Sequence, residues 1–462
     1  MKLGRSFLAV FLPIILLVPT NSHAEALREA VERILQKHDR VLAAKADVTA
    51  SDERVNERFK NSYLPNLTLT SSYGFERRVQ KAPGTDTNLD PRETNLRVTQ
   101  LLWDFGKSSA NIQVAQLQNG QMQAAMETAR QTLMLDAATA FYHLRRANNV
   151  LKFARQSVEN IKRQGEVEDV RVALGRGYST DVLQVKTQLA GAKAREVQAS
   201  GTVAQAEEHV RTIFMREASE VLQLTVPDES YLPALPKTLQ EAVTTGINSN
   251  SQLKQLRLQA EMLTAQKESV ARTHFFPTVQ GVVERKFKDQ VQGVNEFESE
   301  TLGKVELTMP LNLGLAGMNG VAAASQDQEA AQRRYDDTRR LVEEQSRVAW
   351  HNLNTARANA DLLHNQADIA KKFLELAREE RKMDKRTLLD ILNGETALIN
   401  ALSDAASADT DVIIAAYTLL QSMGVLEPAV FDQNSGTPRG AGKSTKVEQN
   451  HDATAAKQTK QH

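Results

Sequence analysis

The chain has 462 residues, of which 41% are hydrophobic, 25% charged and only 5% aromatic, with no cysteine. That is little apolar material for the several globular cores such a length would ordinarily hold, and the abundance of Ala, Gln, Leu, Arg and Glu is the composition of long packed helices. The 57 basic residues balance 57 acidic ones, which removes the electrostatic case for nucleic-acid binding, and the missing cysteine excludes disulfides and a lipidated mature N-terminus.

Residues 1–24 read as a secretory signal peptide. Lys2 and Arg5 precede an apolar run over 7–18, and Ser22-His23-Ala24 supplies small residues for cleavage after Ala24. A membrane anchor is the other reading, but twelve helical residues rise about 18 Å against a hydrocarbon core of ~30 Å. A helix over 26–60 follows. Between Pro65 and Arg97 the apolar period becomes two: Leu67, Leu69, Tyr73 and Phe75 alternate with Thr68, Thr70, Ser72 and Gly74, and Leu96 and Val98 with Arg97 and Thr99. With a loop rich in Pro, Gly, Asp and Asn over 81–93, this predicts a strand hairpin over 65–104. Strands of about ten residues with one apolar and one polar face fit a transmembrane β-barrel or a small soluble hairpin. Trp103, at the end of the hairpin, fits a membrane-interface belt or a packed core.

All twelve prolines lie outside 92–226 and 311–427, and since an interior Pro costs a helix about 3 kcal/mol, both spans read as helical. In the first, Leu133, Ala137, Ala140, Phe141, Leu144, Leu151 and Ala154 follow the three-and-four rhythm. Gly175-Arg176-Gly177 breaks it, and Ser179-Thr180-Asp181 supplies N-cap chemistry for a new start. The spacing therefore predicts a helical hairpin over 106–215, whose first helix, 107–174, would be about 100 Å long. Such a rod has no globular core to bury it. It must pack beside similar rods, and Ala137, Ala138, Ala140, Ala190, Ala192 and Ala194 allow close approach; an ordinary dimeric coiled coil satisfies the periodicity equally.

The pattern then repeats. Residues 225–236 link to a second helix over 238–273, a strand hairpin over 277–311 with its loop at 290–296, and a helical hairpin over 319–424 broken near Asp384-Lys385. Thr99 returns as Thr308, Phe141 as Trp350, Leu144 as Leu353, Asp181 as Asp390, Thr187 as Thr396 and Leu189 as Leu398, always 209 residues on. This is a tandem duplication of a module much larger than a solenoid repeat, with copies at 25–226 and 227–427. The helices before each strand hairpin are expected to belt the long rods. Residues 428–462, mostly Gly, Ser, Thr, Lys and Gln, read as a disordered polar tail. The fold class is α+β. If the strands enter lipid, four cannot close a barrel, and an open edge would leave backbone groups unsatisfied; two chains would give eight strands and three would give twelve.

The arrangement resembles the TolC-type outer-membrane efflux and secretion channel family over nearly all of 25–426. Tyr63-Leu64-Pro65 and Phe275-Phe276-Pro277 are similar to the family's entries into its strand hairpins. Val98-Thr99-Gln100-Leu101-Leu102-Trp103-Asp104-Phe105-Gly106 and Leu307-Thr308-Met309-Pro310-Leu311-Asn312-Leu313-Gly314 are similar to its exits into the long helices. Thr180-Asp181-Val182-Leu183-Gln184 and Arg386-Thr387-Leu388-Leu389-Asp390-Ile391-Leu392 resemble its two helix turns. The resemblance implies a homotrimer: a twelve-stranded barrel in outer-membrane lipid, continued by a helical tunnel in the periplasm of a Gram-negative bacterium. A periplasmic adaptor (membrane fusion protein) and an inner-membrane ABC or proton-driven transporter would dock at its tip. It also implies a gate there. Asp390 matches the family's first acidic ring, Asn393 stands where a second Asp is usual, and Arg386 with Asp181, beside Thr180, matches latch partners. Arg381 replaces an expected Tyr and Asp384 an expected Gly. The alternative for Asp390 is a solvated helix-start carboxylate favourable to the dipole, and the ring is the favoured reading because a pore of identical chains forces any such position into a ring. The type I protein secretion branch is mildly favoured over small-molecule efflux.

Enzyme readings find little footing. No His-Glu-x-x-His pair exists, and His351 and His364 are thirteen apart on a long helix. Gly314, Gly317 and Gly320 do not fit a dinucleotide fingerprint, and Asp86-x-Asn88-x-Asp90 lacks the Gly and Glu a calcium loop needs. No enzyme, cofactor or metal is expected. A periplasmic coiled-coil adaptor, or a structural protein without a pore, remains the competing class.

Overall fold

The computed structural model describes residues 25–79, 86–176, 178–224, 231–311, 313–383, 385–432 and 436–438. The expected signal peptide, Gly177, Asn312 and Asp384 of the expected turns, and the tail beyond 438 lie outside the described residues.

Duplication is visible in the element lengths. The first copy runs α1 (Leu27–Lys37, 11 residues), α2 (Asp39–Tyr63, 25), α3 (Lys107–Ala173, 67) and α4 (Ser179–Phe214, 36). The second runs α6 (Leu239–Ser249, 11), α7 (Ser251–Phe275, 25), α8 (Ala316–Lys382, 67) and α9 (Leu388–Ser422, 35). A one-turn helix, α5 (Ala218–Val221), follows α4.

The helix expected over 26–60 is in fact two, and so is the one over 238–273. His38 sits in extended backbone and its Nδ1 accepts from Arg40 N at 3.2 Å. Asn250 does the same in the second copy, its Oδ1 accepting from Leu253 N at 3.1 Å. A side chain that bonds its own backbone ends one helix and caps the next. Nor do α2 and α7 belt the rods. α7 lies lengthwise and antiparallel between α3 and α8: Ser269 meets Asn111, Gly106 O accepts from Arg272 at 2.6 Å, and Gln328 Nε2 donates to Thr264 at 3.1 Å. α2 packs along α3. The upper wall is thus α2–α3–α7–α8 and the lower wall α4–α3–α9–α8, with α3 and α8 continuous through both.

Where the two halves meet, Leu133, Met134, Phe141, Leu144, Phe214, Leu353 and Tyr417 are buried together with Leu27 and Ile34 of α1. Tyr417 stacks on Phe431 at 5.0 Å between centroids, and burial pushes the Tyr417 hydroxyl pKa well up. Phe431 belongs to a 3-10 turn, Pro428–Phe431. Gly436–Pro438 (β8) pairs with Tyr231–Pro233 (β5) in the linker between the copies. The expected polar tail from 428 therefore begins with packed chain, because Phe431 brings one large apolar side chain to the central core.

The strands β1 (Asn66–Tyr73), β4 (Arg92–Trp103), β6 (Thr278–Asp289) and β7 (Phe297–Thr308) form one antiparallel sheet in the order β1-β4-β6-β7. A short ribbon, β2 (Glu76–Arg78) with β3 (Thr87–Leu89), extends the first hairpin. The register sorts the side chains by face. Arg97 lies opposite Thr68 and Glu284, and Asn95 opposite Thr70 and Lys286. That face carries an ion-pair ladder: Arg97 to Glu284 at 2.6 Å and Glu306 at 3.4 Å, Lys286 to Glu284 at 3.5 Å, Lys304 to Glu306 at 3.2 Å, and Lys288 to Glu300 at 2.9 Å. The opposite face shows Leu67, Leu69, Leu96, Val283, Val305 and Leu307, all exposed. A bulge between Leu101 and Trp103 turns Trp103 out, edge-on to Phe105 at 6.0 Å, with Phe105 5.8 Å from Phe276. Trp103 is 62% exposed, so it is not core filling.

The 209-residue echo holds for the helices, since α3 and α8 start and end in step, and both N-caps, Gly106 and Leu315, are left-handed. It slips in the strands. β7 stops at Thr308, whereas Thr99 is four residues short of the end of β4. Pro310, which has no N–H to give a ladder, follows. Gly424 closes the last long helix at φ +73°, and a Cβ there would stand 2.5 Å from Ser249 O and 2.7 Å from Asn250 Cα. We expect Gly424→Ala to destabilise the chain by at least about 2 kcal/mol, combining the left-handed penalty with the backbone clash. A fall in the thermal midpoint of the helical circular-dichroism signal, with Gly303→Ala in open space as the unaffected control, checks it.

Candidate functional site

Two turns, between α3 and α4 and between α8 and α9, stand together at the end remote from the sheet, joined by buried Ile161, Val185, Leu388 and Leu392. In the first, Gly175 takes φ +70° and Arg176 N donates to Arg171 O at 2.8 Å. Thr180 is exposed and Asp181 half-buried in the first turn of α4. In the second, Thr387 and Asp390 form a capping box: Thr387 Oγ1 accepts from Asp390 N at 3.2 Å, and Asp390 Oδ2 accepts from Thr387 N at 3.3 Å. Asp390 thus holds the helix start while its carboxylate stays at the surface. Asn393 is exposed one turn further on.

Arg386 does not meet Asp181 within the chain. Its Nε bonds Glu380 Oε2 at 2.6 Å, its Nη1 stands 4.0 Å from Asp390, and its guanidinium lies 5.8 Å from the Phe373 ring centroid. The Glu380 carboxylate raises the Arg386 pKa. Among the described residues no ion pair joins Asp181 to Arg386.

Arg381, marked in the sequence only as a departure from the family's turn, and other groups not singled out from the motifs tie the two hairpins together. Arg381 of α8 reaches Glu168 of α3 at 3.2 Å and also donates to Arg386 O at 3.0 Å. Glu168 is 1% exposed. Deeper in the seam, Glu395 of α9, also buried, is held by Arg378 of α8 and accepts from Asn160 of α3 at 3.2 Å. A sequence signal for Glu168 and Arg381 did exist. Ala140, Ala147, Ala154 and Ile161 are buried every seven residues along α3, and the next place is Glu168; Leu353, Ala360, Ala367 and Leu374 do the same along α8, and the next place is Arg381. A charge in an apolar heptad seam needs a partner across it. Glu168 Oε2 and Arg381 Nε keep no hydrogen-bond partner among the described residues, so the pair is enclosed but incompletely satisfied. Such a contact specifies one arrangement without contributing much net stability.

The outer helices of the lower wall are uncovered. Leu341, Val348, Leu362, Ile369 and Leu376 of α8, with Met383 at its C-cap, recur at multiples of seven, and Leu183 and Val197 of α4 are fourteen apart; all are exposed. Among the described residues no helix is long and apolar enough to cross a membrane.

Comparison with known proteins places this geometry. The family model described as outer membrane efflux protein matches residues 30–214 and 244–425. The chain is 24% identical over 417 residues to outer membrane protein TolC of Escherichia coli, covering 88% of this chain and 83% of that protein. It is 22% identical over 355 residues to the alkaline protease secretion protein AprF of Pseudomonas aeruginosa, covering 74% and 72%. Among solved structures, the Campylobacter jejuni CmeC outer membrane channel superposes with a TM-score of 0.74 at 14% identity, covering 89% of this chain and 87% of that one.

Removing one partner of the buried pair should cost far more than removing both. Arg381→Leu leaves buried Glu168 with only the longer 3.8 Å contact from Arg171, at a cost of roughly 3 kcal/mol, whereas Glu168→Leu with Arg381→Leu continues the apolar seam and should recover most of it. Denaturant midpoints for the two singles and the double variant close the cycle; an additive result would mean that the pair does not couple the hairpins.

Proposed function

Because this chain belongs to the outer membrane efflux protein family, and so is an export channel of the Gram-negative outer membrane that works with adaptor and inner-membrane transporter proteins, we propose that three copies close into one duct. The observation that carries this reading is the sheet. One face is a charged ladder, the other apolar and exposed, and the outer edges of β1 and β7 have no strand partner among the described residues. An apolar face outside and a charged face inside is the sense of a membrane barrel, and open edges in lipid must pair with further copies. Eight strands would leave an interior filled by side chains, whereas twelve leave room for water and cargo. The uncovered heptads on α8 and α4 support the same closure. They form the two outer borders of the lower wall, so α8 of one copy can pack on α4 of the next and continue the ring.

The duct ends in a gate at the helix turns. Three copies place Asp390 three times around one axis, a ring of carboxylates that favours cations, with Asn393 as a neutral second tier. Within each copy Arg381–Glu168 and Arg378–Glu395–Asn160 hold the hairpins together, so opening means separating α3 from α8 and α9 at these contacts. Arg386, Thr180 and Asp181 sit on the borders that copies share. The adaptor meets this end as a membrane fusion protein, and the inner-membrane partner, ABC or proton-driven, selects the cargo. The AprF likeness favours protein secretion over small-molecule efflux.

Extraction should require detergent and yield a heat-labile trimer on gels; recovery in the soluble periplasmic fraction would instead favour an adaptor without a pore. Since Asp390 also caps α9, the informative substitution is Asp390→Asn, which keeps an oxygen for Thr387 N and removes the charge. Purified channel in planar bilayers should then show weaker cation preference. Unchanged selectivity would remove Asp390 from the gate.

A further inference from the structure

The cations of the sheet divide into two kinds. On the charged face every one, Arg97, Lys286, Lys288 and Lys304, has a glutamate partner within 3.5 Å. On the apolar face stand Arg92 and Arg285, and among the described residues neither guanidinium donates a hydrogen bond or lies within ion-pair distance of a carboxylate, although Asp289 is directly opposite Arg92 in the ladder. Each guanidinium lies against an aromatic ring instead: Arg92 is 5.5 Å from the Tyr73 centroid and Arg285 is 5.2 Å from that of Phe287, which itself stacks on Phe297 at 6.5 Å. Both arginines are exposed.

Their placement along the strands is one-sided. Tyr73, Arg92, Asp289 and Phe297 form the row furthest from the helices, and Arg285 is two rows nearer on the same face, about 13 Å away along the strand. Nearer the helices that face carries Leu67, Val98, Val279, Val283, Val305 and Leu307 and no charge. If the helices are periplasmic, the arginines lie in the outer half of the apolar band. A cation facing lipid costs about 2–4 kcal/mol at the midplane and about 0–1 near the interface, so an unpaired pair held there needs an anion in the adjoining lipid. A planar guanidinium presents a fork of N–H donors that matches phosphate, and stacking on a ring fixes that plane while leaving its edge open.

We propose that Arg92 and Arg285, with Tyr73 and Phe287 beneath them, bind the phosphates of the phosphorylated glycolipid that forms the outer leaflet. The inference rests on the barrel reading above. It adds to that reading a lipid site on the outer wall, repeated once per copy, that anchors the channel to one leaflet of an asymmetric membrane.

Native mass spectrometry of the detergent-extracted channel tests this, with bisphosphorylated lipid A, monophosphorylated lipid A and phosphatidylglycerol as the added probes. At about 1 kcal/mol per arginine, Arg92→Gln with Arg285→Gln should weaken bisphosphorylated lipid A about 30-fold, and Arg285→Gln alone about fivefold; the single variant serves if the double does not assemble. Monophosphorylated lipid A should lose less, and phosphatidylglycerol should bind wild type and variants alike. Equal binding of lipid A to wild type and variants overturns the proposal, as does an equal loss for phosphatidylglycerol, which would mean diffuse attraction of any anionic lipid. A chain recovered without detergent would overturn the barrel reading and this inference together, whereas a detergent-requiring trimer indifferent to the substitutions would overturn this inference alone.

Discussion

A strand edge facing hydrocarbon has nowhere to place its N–H and C=O groups, and each one left bare costs several kcal/mol. This constraint governs the molecule. A four-stranded sheet whose two outer edges have no partner among the described residues is incomplete by itself, and the helices inherit the incompleteness: α4 and α8 border the lower wall with apolar stripes that no described residue covers. Sheet and helices are open at the same borders, so the one act of association proposed above would satisfy backbone groups in the sheet and side chains in the helices.

Within the chain the same economy applies to length. Among the described residues only α3 and α8 run the length of the wall, and shorter helices are laid end to end beside them. The splice lies at the central core, where His38 and Asn250 interrupt the helices by capping and Asn250 Nδ2 donates to Ser422 O at 3.0 Å. Gly424 fits there because only a residue without Cβ can turn against Ser249. Phe431 fills the same region from the far end of the chain.

Much of this was legible in the sequence. Absence of proline and the 209-residue echo located the long helices, because an interior Pro would break them and a duplicated rod must keep its length. The polar and apolar faces of the strands followed from alternation. What escaped had local causes. The breaks at His38 and Asn250 lie inside unbroken apolar rhythms, where only the side chain's own hydrogen bond ends the helix. The early stop of β7 depends on Pro310, and packing of Phe431 depends on one aromatic within a polar segment. At the tip, family motifs pointed to Arg386 and Asp181, whereas the contacts between hairpins within the chain run through Arg381, Glu168, Arg378 and Glu395. Of those residues, Glu168 and Arg381 announce themselves as a pair when a charge is noticed at a place where the seven-residue seam calls for an apolar side chain, and Arg378 and Glu395 give no such signal. Asp390 shows the opposite limit: its capping role and its proposed place in a ring require the same carboxylate at the same position.

The ion-pair ladder on the charged face of the sheet has a consequence for a cargo that would travel past it. Arg97, Lys286, Lys288 and Lys304 are each neutralised by a neighbouring glutamate, so the surface is strongly hydrated yet offers a moving polyelectrolyte no run of one sign to adhere to. Acidic and basic segments of a cargo would meet short-range dipoles that cancel within a Debye length. In a duct closed by three copies as proposed, that surface would act as a low-friction sleeve, indifferent to the sign of what it carries.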